Sequence, residues 1–135
     1  MILSDPARRA LVIVAHPDDE TLWMGGTILL HLNWDWHILT LCRKDDPDRA
    51  PKFQRALGIF HATGGMGDLD DEPKQHPLES SIDQGNIVSL LPQQPYDIIF
   101  THNPLGEYTR HRRDLASDLR IPYRRTNCRG AAPAG

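Results

Sequence analysis

The chain has 135 residues, 39% hydrophobic and 24% charged, ordinary usage for one globular domain with no room for a second. No stretch approaches the roughly 18 apolar residues of a membrane span, and MILSDPARRA lacks an apolar core of signal-peptide length, so a cytoplasmic protein with no membrane span is expected. The formal charge is −3, and Cys42 and Cys128 lie far apart outside any CxxC pair, so neither a disulfide framework nor a cysteine-based zinc site is indicated.

Residues 10–15 (ALVIVA) are continuous, apolar and rich in β-branched side chains, the pattern of a strand buried on both faces of a parallel sheet. After Pro17, the run Asp18, Asp19, Glu20 precedes an apolar-rich stretch to about Trp34, predicting a helix whose positive end favours acidic neighbours. Residues 37–42 (HILTLC) follow one helix length later and predict a second strand, hence a right-handed βαβ unit. Weak helical spacing over 48–58 gives way to the glycine- and aspartate-rich segment 61–71, which reads as a loop. A moderate helix over 82–91, stopped by Pro92, leads to a strand at 96–101, a loop at 102–108 and a short helix near Arg110.

Seven of the fifteen basic residues lie between Arg110 and Gly135, opposed only by Asp114 and Asp118, so that segment carries +5 and the rest −8. No aromatic platform or reading motif accompanies these arginines, which argues against a nucleic-acid partner. From Ile121 to the terminal GAAPAG there is no periodicity, so 1–120 is expected to be the folded domain and 121–135 a disordered Arg-rich tail. No internal repeat is visible. The expected class is α/β, a Rossmann-like three-layer fold with a mostly parallel sheet.

In open α/β sheets, ligands bind outside the carboxyl ends of the strands, and both polar clusters occupy that position. The first is His16, Asp18 and Asp19 after ALVIVA; the second is His102, Asn103, Glu107, His111 and Asp114 after YDIIFT. Zinc accepts imidazole and carboxylate ligands, and a catalytic site keeps a position open for water. His16 and Asp19, three residues apart at a strand-to-helix turn, form the natural ligand pair, leaving Asp18 free as general base. The bland alternative makes Asp18 and Asp19 helix caps, with His16 a turn residue and Pro17 fixing the bend. It accounts for one carboxylate and leaves the others unexplained.

VAHPDDETLWMGGTI resembles the opening motif of the PIG-L/LmbE family of zinc-dependent N-acetylglucosaminyl de-N-acetylases. THNPLGEY followed by His111 is similar to that family's later loop, and ALGIFHATGGMGDLDD to its middle region, so the resemblance covers roughly 11–114. It implies a Rossmann-like fold, Zn2+ or another divalent metal held by His16 and Asp19, and Asp18 as base on a water that attacks an acetamide. The partner so implied is a small N-acetylated amino-sugar conjugate. The family's later loop carries two histidines three residues apart, the first assisting the oxyanion or leaving amine and the second completing the metal site. Here the pair reads His111 and Asp114. Either Asp114 supplies a carboxylate ligand, making bound water less acidic, or His111 becomes the ligand and gives up its catalytic role.

The resemblance stops near Asp114, where the family continues with further strands and helices. A C-terminally truncated, inactive relative with the fold and partial metal or sugar binding is therefore the alternative, with poor stability or association into a homo-oligomer expected. Gly25 and Gly26 lack the lysine of a phosphate loop and are ascribed to close helix-to-strand packing. Trp23, Trp34 and Trp36 are expected in the core rather than stacked on a sugar. His31, His37, His61 and His76 lack ligand spacing. Arg43 reads equally as a substrate anchor or as part of a solvated charge run.

Overall fold

The computed structural model describes residues 6–71 and 80–103. Strand β1 (Arg9–Val14) is followed by a π-helical turn, Glu20–Met24, which runs directly into helix α1 (Gly25–Leu30). Next come β2 (Asp35–Cys42), α2 (Arg49–Ile59), β3 (Thr63–Leu69), α3 (Ser80–Ser89) and β4 (Ile98–Thr101). The four strands form one sheet in the order β3-β2-β1-β4, with every pairing parallel. This is a Rossmann-like α/β arrangement.

The alternation of side chains along β1 explains the layers. Ala10, Val12 and Val14 pack with Trp36 and Ile38 of β2, Ile28 of α1 and Phe53 and Leu57 of α2. Leu11 and Ile13 turn to the opposite face, with Leu39 and Leu41 of β2, Ile87 of α3 and Tyr96. Residues 10–13 are wholly buried, and each large apolar side chain among them contributes about 1.5–3 kcal/mol. Right-handed crossovers place α1 and α2 on one face and, once the chain turns back beyond β1, α3 on the other.

Several expectations need correction. The helix expected to run to Trp34 ends at Leu30, with His31 at its C-terminus (φ −129°, ψ 47°). Trp34 instead enters the core, stacked on Trp36 at 5.3 Å and on His31 at 4.4 Å. Trp36 is likewise buried, but Trp23 is 69% exposed and does not join the core. The segment expected as a loop at 61–71 contains β3, whose glycines serve close approach to β2. A Cβ on Gly64 would lie 2.6 Å from the Ile38 carbonyl oxygen, and one on Gly67 2.6 Å from that of Leu41. Gly25 and Gly26 carry no such demand: a Cβ on Gly25 would make ordinary contact with Phe60, and one on Gly26 would meet nothing within 4 Å. The short helix expected near Arg110 and the tail expected at 121–135 fall outside the described residues. Among the described residues no helix is long and apolar enough to cross a membrane.

His37 is buried in β2. Thr63 Oγ1 donates to the Trp36 carbonyl at 3.3 Å and accepts from His37 Nδ1 at 2.7 Å, while His37 Nε2 is buried with no hydrogen-bond partner. Protonating Nε2 would bury an unsatisfied cationic N–H, and burial accordingly lowers the His37 pKa from its ordinary 6.5.

Two predictions follow from this packing. Gly64→Ala should destabilise by about 1–3 kcal/mol, because a backbone oxygen cannot swing aside, whereas Gly26→Ala should be neutral or stabilising; denaturant unfolding of both variants compares them. The unfolded chain binds a proton at His37 more readily than the folded one, so the His37 contribution is complete above pH 6.5 and is lost as pH falls below it. Thermal melts of wild type and His37→Gln should therefore diverge in pH dependence below that value, and parallel curves would refute the assignment.

Candidate metal centre

The residue just beyond β1 ties three strand ends together. The Ala15 N–H donates to His102 Nε2 at 2.9 Å, and the Ala15 carbonyl accepts from the Cys42 N–H at 3.1 Å. His102, immediately after β4, thereby reaches the start of the HPDDE segment. His102, of the second polar cluster, thus meets the first at the carboxyl ends of the strands, beside the point where the crossovers change sides.

Asp19 is the focus of that meeting. Its Oδ2 accepts the His16 N–H at 3.1 Å and lies 3.3 Å from His102 Nε2 and 3.7 Å from His16 Nδ1. Burial alone would raise the Asp19 pKa, but the hydrogen bonds to His102 and His16 outweigh it and hold the carboxyl well below the usual range. The carboxylate makes no side-chain cap on the following helix. It turns back toward the strand ends, and the cap alternative does not describe it.

His102 Nε2 faces both a donor and a carboxylate. That one nitrogen can serve either neighbour: its lone pair accepts the Ala15 N–H at 2.9 Å, and when protonated it donates to Asp19 Oδ2 at 3.3 Å.

Asp18 points elsewhere. Its Oδ2 accepts from Arg49 Nη1 at 3.3 Å, and its side chain is 63% exposed on the wall of a 570 Å³ cleft shared with Arg49, Lys52 and Phe53. Its backbone has a φ of 157°, rare for a residue with a side chain. Glu20 holds that conformation: its Oε2 accepts the Asp18 N–H at 2.9 Å, and the Thr21 hydroxyl donates to its Oε1 at 3.3 Å. Glu20 is 2% exposed, and burial pushes its pKa up.

On the far side of His16 stands Asp71. His16 Nε2 lies 3.2 Å from Asp71 Oδ2, and Arg43 Nε donates to that same oxygen at 2.6 Å. Arg43 has a left-handed backbone (φ 70°), and its Nη1 reaches Asp46 at 3.4 Å. Its guanidinium, with the side chain 37% exposed, is thus paired with two carboxylates. His16, buried Cys42 and Asp71 each offer a ligand atom, and these atoms lie within 4.8 Å of one another, so the group can hold a metal ion.

Of the residues singled out from sequence, His16, Asp19 and His102 are brought together, while Asp18 is paired with Arg49. His111 and Asp114 lie outside the described residues, as do Glu107 and His76. Asp71 and Cys42 were missed. Cys42 was discounted because it belongs to no CxxC pair, and Asp71 because 61–71 read as a loop; its place beyond a third parallel strand is the signal that would have found it. No family model, curated protein or solved structure matches this chain.

Removing the His102 ring leaves the Ala15 N–H without its acceptor at a partly buried position. His102→Ala should cost about 1–3 kcal/mol, read as a lowered urea midpoint; an unchanged midpoint would mean that this contact does not hold β4 to β1.

Proposed function

We propose that the chain is a metal-dependent hydrolase of the PIG-L/LmbE type, removing an N-acetyl group from an N-acetylglucosamine-like conjugate. The observation that carries this reading is the convergence of His16 and His102 on the ionised Asp19 at the strand ends. Imidazole and carboxylate together suit zinc. In this reading His16 and Asp19 hold Zn2+ or another divalent metal. When bound, the ion supplies Lewis acidity that makes water a nucleophile near neutral pH and polarises the acetamide carbonyl.

Asp18 is the proposed base. That role rests on the resemblance: its exposed carboxylate, paired with Arg49, would turn toward the metal to take a proton from the attacking water and return it to the leaving amine. The strained backbone that presents it supports a functional role, since such conformations concentrate at active sites. Trp23 lines a 330 Å³ cavity with Met24, Phe100 and His102, where its exposed ring offers a stacking face for a sugar. His111, assisting the oxyanion or leaving amine, and Asp114, as third ligand, complete the proposal from the resemblance alone.

Metal analysis of the purified chain should find about one zinc per chain, and incubation with N-acetylglucosamine conjugates should release acetate. Asp18→Asn should retain the metal yet lower turnover by about 10²-fold or more, because a neutral amide cannot accept the proton. Full turnover in that variant would remove Asp18 as base, and a metal-free, inactive wild type would sink the proposal.

A further inference from the structure

The His16 ring lies between two carboxylates, and only one side can face a metal. A neutral imidazole has one N–H and one lone pair, and a bound metal takes the lone pair. Nε2 stands 3.2 Å from Asp71 Oδ2, the closer of its two carboxylate neighbours, whose side chain is 8% exposed. Nδ1 stands 3.7 Å from Asp19 Oδ2, too far for a hydrogen bond. The arrangement favours the proton on Nε2 and the lone pair on Nδ1, facing Asp19.

Arg43 decides against the opposite assignment. Its Nε is 2.6 Å from the very oxygen that Asp71 would offer a metal in the group with Cys42. A dication there would face a guanidinium across one shared oxygen, whereas among the described residues no lysine or arginine pairs with Asp19.

Resting on the metal-dependent reading above, we infer that Asp71, anchored by Arg43, is a positioning residue that accepts the His16 Nε2 proton and so directs Nδ1 to the metal. Cys42 then lies outside the ligand set. A carboxylate behind a ligating histidine fixes its tautomer and orientation, and its loss weakens metal binding by about 10–100-fold.

The test uses Co2+ and the full chain. Wild type should bind Co2+ with visible d–d bands and no thiolate-to-cobalt charge-transfer band in the near ultraviolet. Cys42→Ser should leave the Co2+ and Zn2+ dissociation constants unchanged. Asp71→Ala should weaken both about 10–100-fold and alter the d–d envelope, with Asp71→Asn, which keeps an acceptor oxygen, partly restoring both. A charge-transfer band that disappears in Cys42→Ser would overturn the inference while leaving a metal site in place. Unchanged affinity in a folded Asp71→Ala would also overturn it. Failure of wild type to bind either ion would overturn both this inference and the proposed function.

Discussion

The position of β1 between β2 and β4 governs everything polar in the described part of the molecule. Because β1 pairs in parallel with both neighbours, its side chains must be apolar on both faces, and the chain can carry chemistry only beyond the strand. The connections after β1 and β2 cover one face and α3 covers the other, so the helices diverge where β1 meets β4. The crevice opens there. Ala15 occupies the mouth of that crevice, and its backbone groups, bonded to His102 and Cys42, set the spacing of all three strand ends.

Four acidic residues crowd this mouth, and each is compensated differently. Asp19 is surrounded by two imidazoles and a backbone N–H, which keep it charged despite burial. Asp71 is held by Arg43 and His16, and Asp18 by Arg49 from α2. Among the described residues Glu20 alone of the four has no ion-pair partner, and burial shifts it toward its neutral form. Within an effective dielectric well below that of water, unlike environments of this kind separate the roles of neighbouring carboxyls. In the function proposed above, Asp19 would be a ligand, Asp71 a support and Asp18 the base, while Glu20 clamps the Asp18 backbone.

The strands at 10–15 and 37–42 and the helices at 48–58 and 82–91 were legible from periodicity and β-branching, and with them the parallel α/β class. What eluded that reading was β3. Thr63–Leu69 has three glycines in seven residues, and glycine ordinarily punctuates turns. Here Gly64 and Gly67 answer a steric requirement set by the β2 carbonyls, which only tertiary contact reveals. The site divides in the same way. HPDDE and the His102 region announce themselves by clustered ligand types after apolar runs, whereas Asp71 and Cys42 acquire meaning only once β2 and β3 are seen to end beside β1. Trp23 was expected in the core only because large aromatics are more often buried than exposed, and within the π-helical turn it is instead 69% exposed.

The same glycines connect the fold to the far side of His16. The pairing of β2 with β3 shifts register between Thr40 and Cys42: two steps along β2 correspond to three along β3, from Met66 to Leu69. Gly67 lies at this bulge, against the Leu41 carbonyl, and its own carbonyl accepts the Lys44 N–H at 3.1 Å. A bulge bends its strand and re-aims the residues that follow. Here they lead to Asp71, which meets Arg43 from the end of β2 and His16 from the end of β1. A side chain larger than glycine at position 67 would press on that carbonyl and displace the segment carrying Asp71. The irregularity of β3 thus joins the outer strand to the orientation of a single imidazole at the centre of the sheet.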